Sequence, residues 1–349
     1  VTKRTRHMSP PAVDRRRPGL VWPVAIDPAG VTGPTRAQAR SPHWVRGAQG
    51  LYLPTGLDPR LATDQRIVTA AATAPVGSAV TGWAALRWAG ARFLDGTARG
   101  RPLPVPVAVP PSAYAGRPGT LVSTADHLRR DPVEIDGLTV SSAASATAFE
   151  VMRSTSIVEA VAVIDRVAAA DLVSLDELRA YRATLQGLRN VRRLDRALEH
   201  AVENCWSPME TVLRMCWHQQ GITNVACNRP VFALDGTFLG TPDVLDLDTG
   251  TAGEYDGALH LAGQQRAKDI RREATFRRAG LEYVEMVAAD LPDPRDFLRR
   301  TDDARRRAAG LARGWTLTPP TGWVETHTVE LRRSLEPWQR ARFLRWQAG

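Results

Sequence analysis

The stretch from Gly240 to Gly280, GTPDVLDLDTGTAGEYDGALHLAGQQRAKDIRREATFRRAG, decides how the rest of the chain is read. From Asp235 to Asp256 there are six carboxylates, Asp235, Asp243, Asp246, Asp248, Glu254 and Asp256, and no Lys or Arg, although the formal charge of the whole chain is +9. Two short apolar runs, Val244 to Leu247 and Gly253 to Tyr255, flank the turn-forming Asp248-Thr-Gly-Thr and predict a β-hairpin. Side chains two apart on a strand share a face, so Glu254 and Asp256 point the same way, roughly 7 Å apart at the α-carbons. If the neighbouring strand aims Asp243 at that face, three carboxylates converge. Asp246, three residues after Asp243, points to the opposite face, and Asp235 and Asp248 occupy turn positions. Hard oxygen donors of this kind suit Mg²⁺ (or Mn²⁺), which keeps several waters and takes one or two carboxylates directly.

Beyond the hairpin, Gly257-Ala-Leu-His260 leads into a helix expected from about Gly263 to Ala279. It carries Arg266, Lys268, Arg271, Arg272, Arg277 and Arg278 against Asp269 and Glu273, a net +4. An acidic, metal-ready pocket beside a cationic helix is what phosphodiester cleavage needs: the ion polarises the phosphoryl oxygen and generates hydroxide, and cations hold the flanking phosphates.

Pro242-Asp243, then Glu254-Tyr255-Asp256-Gly257, His260 and Asp269-x-x-Arg272, preceded by a helix carrying Glu210, resemble the PD-(D/E)XK nuclease superfamily. The set is most similar to the very-short-patch-repair-like endonuclease domains attached to many actinobacterial proteins. The resemblance covers about residues 205–300. It implies an αβββαβ core, a divalent cation held by Asp243, Glu254, Asp256 and Glu210, and catalysis by Asp243, Glu254, Asp256, His260, Lys268 and Arg272. His260 would act as general acid or base, and Arg272 with Lys268 would steady the scissile phosphate. The family's lysine is absent and Asp256 stands in its place; the chain has only two lysines, Lys3 and Lys268. Lys268 lies about 100° around the helix from Asp269. The expected activity is metal-dependent hydrolysis of DNA; the alternative is an antitoxin-like DNA-binding regulator on a catalytically degenerate nuclease fold.

With 349 residues and 43% hydrophobic content, the chain has room for several packed domains and is not disordered. The positive charge favours a polyanionic partner, although nearly all of it is Arg alongside abundant Ala, Gly and Pro, as a GC-rich genome would also produce. Cys205, Cys216 and Cys227 lack metal-ligand spacing and read as free thiols in a reducing cytoplasm. Gly19 to Ile26 is short and broken by Pro23, which argues against a signal peptide. No run is long enough to span a bilayer. DNA is the expected partner, with no membrane, no small-molecule cofactor, and room for a homodimer.

The expected architecture is an α/β (α+β multidomain) chain. Residues 1–19 read as a basic, mobile arm. Residues 20–58, with Trp44-Val-Arg-Gly and Gly50-Leu-Tyr-Leu-Pro, are similar to the end of a winged-helix module in AbiEi-like antitoxins, a small structural subdomain being the other reading. Residues 59–204 read as an α+β middle domain, helical in its second half. There Arg60 to Ala74 and a segment near Thr81 are helical, and Trp83, Leu86 and Trp88 are core rather than a base-stacking platform. Prolines demote Leu103 to Val109 to an edge strand. Ser174-Leu-Asp-Glu177 is a capping box. Arg189, Arg192, Arg193 and Arg196 form a group that reads either as a solvated helix face or as part of a DNA path. Residues 205–309 form the nuclease-like unit. It opens with Ser207-Pro-Met-Glu210, a second capping box that gives Glu210 a structural role beside any ligand role. Val225 to Phe232 and Thr237 to Gly240 are expected as two strands about Asp235-Gly236. Residues 310–349 form a tail with one amphipathic helix near Ser334 to Trp346.

Overall fold

The computed structural model describes residues 8–98, 100–111, 119–256 and 273–348. The architecture is mixed α/β, and the chain divides into two compact units, Val1–Glu150 and Val151–Gly349.

In the first unit, β1 (Val24–Ala25), β2 (Trp44–Ala48) and β3 (Leu51–Pro54) form a sheet in the order β1-β3-β2, followed by α1 (Ala62–Ala72). The only helical element between residues 20 and 58 is a 3₁₀ turn, Gln38–Arg40. The two helices of a helix-turn-helix are therefore missing, and the segment is a small β subdomain.

A five-stranded sheet follows, built from β4 (Ala79–Val80), β7 (Val105–Ala108), β8 (Thr120–Ser123), β9 (Pro132–Ile135) and β10 (Leu138–Ser141) in the order β8-β7-β4-β10-β9. Between β4 and β7 lie α2 (Gly82–Trp88) and the small hairpin of β5 (Thr97–Ala98) and β6 (Arg101–Pro102). Trp83, Leu86 and Trp88 are core, and the two indole N–H groups donate to main-chain oxygens of Pro104 and Ile135.

The expectation that Leu103 to Val109 forms an edge strand is wrong: β7 has β8 on one side and β4 on the other. Pro106 is tolerated inside the sheet because its carbonyl accepts the Thr81 N–H, while the Thr81 carbonyl accepts Ala85 N–H as α2 begins. The N–H that proline lacks would have had no acceptor there.

The arm is also partly corrected. Leu20 and Val13 are buried, and Arg17 donates to Asp136 Oδ2 (2.7 Å) and the Trp88 carbonyl while lying 4.4 Å over the Trp88 ring. The segment is anchored at Val13 and Arg17, where a cation finds a carboxylate and an aromatic face, while Arg15 and Arg16 stay exposed.

The helix α3 (Ala143–Arg153) crosses the division between units. The second unit then has α4 (Ile157–Ala169), α5 (Leu175–Ala183), α6 (Val191–His200) and α7 (Pro208–Gln219). The Ser174–Glu177 capping box forms with both reciprocal bonds. Asp165 of α4 and Arg214 of α7 make a fully buried ion pair at 2.5 Å, and Asp165 also accepts from Thr211 Oγ1 and Val202 N–H. Burial is the largest single influence and works to lower the Arg214 guanidinium, but the charge and hydrogen bond of Asp165, with Cys227 and Cys205, together hold it above its ordinary value.

The run expected as one strand, Val225 to Phe232, is two strands in two sheets: β11 (Val225–Cys227) and β12 (Val231–Ala233). The break falls at Asn228, whose φ is 46° and whose side chain is drawn into hydrogen bonds with Asn204 and Glu210. β12 pairs with β13 (Phe238–Gly240) across the expected Asp235-Gly236 turn. The main sheet has the order β11-β14-β15-β16, with β14 (Val244–Asp246), β15 (Thr251–Asp256) and β16 (Glu282–Val287). Its first three strands are antiparallel, and β16 runs parallel to β15.

The two faces of this sheet are covered differently. On one, Val244, Val284 and Met286 pack with Leu213 and Trp217 of α7 and with Phe297 and Ala304 of α9 (Arg295–Ala308). Gly253 lies under Trp217 on that face, where an added Cβ would come within 2.6 Å of the indole. On the other, Leu245 and Ala252 pack with Phe276 of α8, the helical residues 273–278, and with Trp315 of β17 (Trp315–Thr316).

The helix expected near Ser334 to Trp346 is shorter than its expected bounds. Within those bounds the helix is α11 (Pro337–Phe343), opened by Pro337 at its first position, and a further short helix, α10 (Val329–Arg333), precedes it. Arg332 of α10 is fully buried and donates to Asp171 and to the carbonyls of Ala168 and Glu203.

Candidate functional site

Residues directly opposite each other on a β-ladder present side chains to the same face. Val244 pairs with Gly253 and Leu245 with Ala252, so one further step sets Asp243 opposite Glu254. Both lie on the face of Leu245 and Ala252, and Asp256, two residues beyond Glu254, shares it. The parallel ladder aligns Glu254 with Glu285. The Asp243 carboxylate accepts the Tyr255 N–H (2.8 Å) and its carbonyl accepts the Asn228 N–H (3.1 Å), which fixes it at the end of β14. The Tyr283 hydroxyl donates to Glu254 Oε2 at 3.0 Å.

Glu210 comes from the first turn of α7. The Ser207 hydroxyl accepts the Glu210 N–H as expected, but the carboxylate reaches past the cap and accepts the Trp206 N–H (2.7 Å) and Asn228 Nδ2 (2.7 Å). The second capping box therefore forms only on its Ser207 side. Glu210 is 7% exposed. Burial first, and the negative charge of Asp243 second, push its carboxyl up to about 7 against the pull of its hydrogen bonds. Asn228 is the physical link, bound through its main chain to Asp243 and through its side chain to Glu210.

The structure thus aligns Asp243 with Glu254, couples Glu210 electrostatically to Asp243, and leaves Asp256 exposed at the strand end. His260, Lys268, Asp269 and Arg272 lie outside the described residues. Asp246 turns to α9, paired with Arg305 at 2.8 Å and bound by Thr249, while Asp248 accepts from Asn224. Among the described residues, no three His, Cys, Asp or Glu side chains gather as a metal-binding group. The carboxylates of Asp243 and Glu254 share one face at facing ladder positions, and Glu210 is a third carboxyl whose ionisation is opposed by Asp243. That chemistry fits one hard divalent ion that takes two carboxylates and keeps its remaining waters.

Sequence reasoning missed Tyr283 and Glu285, and also the Asn204, Trp206 and Asn228 surround of Glu210. Tyr283 and Glu285 had a readable signal, their alternation with Val284 and Met286 on a strand, but no local pattern reveals that this strand lies parallel to β15.

All three cysteines are free. Among the described residues no helix is long and apolar enough to cross a membrane. No protein-family model matches the chain, and neither do the curated proteins or the solved structures with which it was compared.

Proposed function

We propose that the second unit is a phosphodiester hydrolase of the PD-(D/E)XK type, acting on DNA with Mg²⁺ or Mn²⁺. The observation that carries the reading is the alignment of Asp243 with Glu254 across two antiparallel strands, with the Glu210 carboxyl raised by the Asp243 charge. With the β12–β13 hairpin set aside as part of another sheet, the succession α7, β11, β14, β15, α8, β16 supports it, since it follows the αβββαβ order of that superfamily.

Asp243 and Glu254 would hold the ion, which when bound polarises a phosphoryl oxygen and lowers the pKa of a coordinated water. Tyr283 orients the Glu254 carboxylate, and the Tyr255 N–H orients Asp243. Glu210, near half-protonated at neutral pH, is placed to take up or release a proton beside Asp243. His260 as acid or base, with Arg272 and Lys268 on the phosphate, completes the proposal.

Supercoiled DNA incubated with Mg²⁺ or Mn²⁺ tests it: the parent relaxes or linearises the plasmid and Asp243→Ala does not. Cleavage by that variant at the parental rate removes the site. Asp256 in the lysine's place favours a second reading, a DNA-binding regulator that has lost hydrolysis; a protein that shifts duplex DNA on a gel and never nicks it would fit that reading instead.

A further inference from the structure

Four helices of the second unit begin in the same way. The first turns of α4, α5, α7 and α10 each have a Ser or Thr side chain accepting a backbone N–H and an acidic residue close behind: Ser156 with Glu159, Ser174 with Glu177, Ser207 with Glu210, Thr328 with Glu330. That arrangement satisfies the open N–H groups and suits the positive end of the helix dipole.

In α6 the arrangement is reversed. Asn190 sits in the left-handed region (φ 64°) and offers no side-chain cap, its amide instead donating to the Met152 carbonyl. The first turn has no acidic residue and carries Arg192 and Arg193, with Arg196 one turn further on.

These three arginines line a cleft of about 620 Å³ to which no carboxylate contributes. Arg193 donates only to the main-chain carbonyls of Met152 and Ser154, and Arg192 and Arg196 make no ion pair among the described residues. Many other arginines of the unit meet acids: Arg182 meets Asp195, Arg300 meets Asp290, Arg305 meets Asp246 and Arg307 meets Glu282. The cleft thus gathers three arginines with no ion-pair partner among the described residues, at a helix end that itself repels cations. Departures from local preference are expected at functional or strained sites.

We propose that this cleft binds the phosphate backbone of a nucleic acid, Arg192 and Arg196 each holding a phosphate while Arg193 stays anchored to the main chain. Guanidinium forks and backbone N–H groups are the standard donors for phosphate oxygens. A membrane headgroup fits less well, because no large apolar side chain of the cleft is among the exposed ones that could enter a bilayer. The identity of the ligand rests on the nucleic-acid reading above; the site itself does not depend on hydrolysis.

The test is fluorescence anisotropy of a labelled short DNA duplex with the full chain in EDTA, titrated over salt concentration. The parent is expected to bind with a steep salt dependence. Arg192→Ala/Arg196→Ala should reduce the log-log slope by about 2, close to 0.9 for each phosphate that the protein no longer neutralises. Arg192→Glu should abolish phosphate binding at that position and melt no lower than the parent, since an acid suits that helix end; a mere loss of fold would lower both. Parental slope and affinity in the double variant overturn the assignment. So does a parent that ignores DNA at low salt, or one that binds anionic vesicles or a phosphopeptide in its place. Binding without Mg²⁺-dependent cutting leaves the cleft standing and removes hydrolysis. Cutting, with a double variant that binds as the parent does, has the reverse meaning.

Discussion

Replacing Glu210 by Gln tests the electrostatic heart of the candidate site without changing its shape. In the folded chain the carboxyl holds its proton up to about 7, whereas its ordinary value is 4.5. Between those values the folded state binds a proton that the unfolded state has lost, so stability declines as pH rises from 4.5 to 7. At 1.36 kcal/mol per pKa unit this amounts to about 3 kcal/mol once Glu210 is ionised in both states. Glu210→Gln keeps an oxygen for the Trp206 N–H and Asn228 Nδ2 and removes the charge. The variant is expected to match the parent near pH 5 and to exceed it by about 3 kcal/mol above pH 8, a rise in melting temperature of roughly 2–4 °C per kcal/mol. Calorimetric melting across that pH range reads the difference directly. Asp243→Asn should give part of the same gain, since the Asp243 charge is the second cause of the shift, and Mg²⁺ should give part of it in the parent. If the curves of parent and Glu210→Gln run parallel over the whole range, the carboxyl titrates normally and the coupling to Asp243 is refuted.

Tyr283→Phe removes the hydroxyl that orients Glu254 and should weaken Mn²⁺ binding about 10- to 100-fold with the fold intact; unchanged affinity by titration calorimetry means Glu254 is not a ligand. Arg214→Leu leaves Asp165 charged and buried and should cost about 3–5 kcal/mol in urea denaturation. Adding Asp165→Leu should recover only part, because Val202 N–H and Thr211 Oγ1 then lose their acceptor; a single-variant loss below about 1 kcal/mol defeats this account. Burial, then Arg214 and His200, depress His218 to about 4, and neither ring nitrogen has a hydrogen-bond partner among the described residues. The unfolded state therefore takes up the proton first, and stability is lost as pH falls from 6.5 toward 4. His218→Gln should flatten that acid limb, and a variant with the parental limb would show that His218 is not responsible. Glu210 and His218 act in opposite directions between pH 4.5 and 6.5, so each is read from its own variant.

Local chemistry was legible in the linear chain. The Asp248-Thr-Gly-Thr turn with apolar runs on either side announced the hairpin of β14 and β15, and the Asp235-Gly236 turn announced that of β12 and β13. The Ser174–Glu177 box marked the start of α5. Each of these rests on neighbours a few residues apart, where strand alternation and open helix ends act directly on the residues concerned.

What required the third dimension was every decision made between distant segments. Pro106 sits inside a sheet because Thr81 had already given its carbonyl to α2. Asn228 splits one expected strand into two because Asn204 and Glu210 compete for its side chain. Glu210 could be recognised from sequence as a capping residue, but its burial and its exposure to the Asp243 charge come from folding α7 against β14. Composition gave the chain its excess of arginine, and packing determined which arginines met a carboxylate. Hydrogen bonds within a turn are specified by adjacent residues, whereas desolvation and charge pairing depend on whichever segments the core brings together.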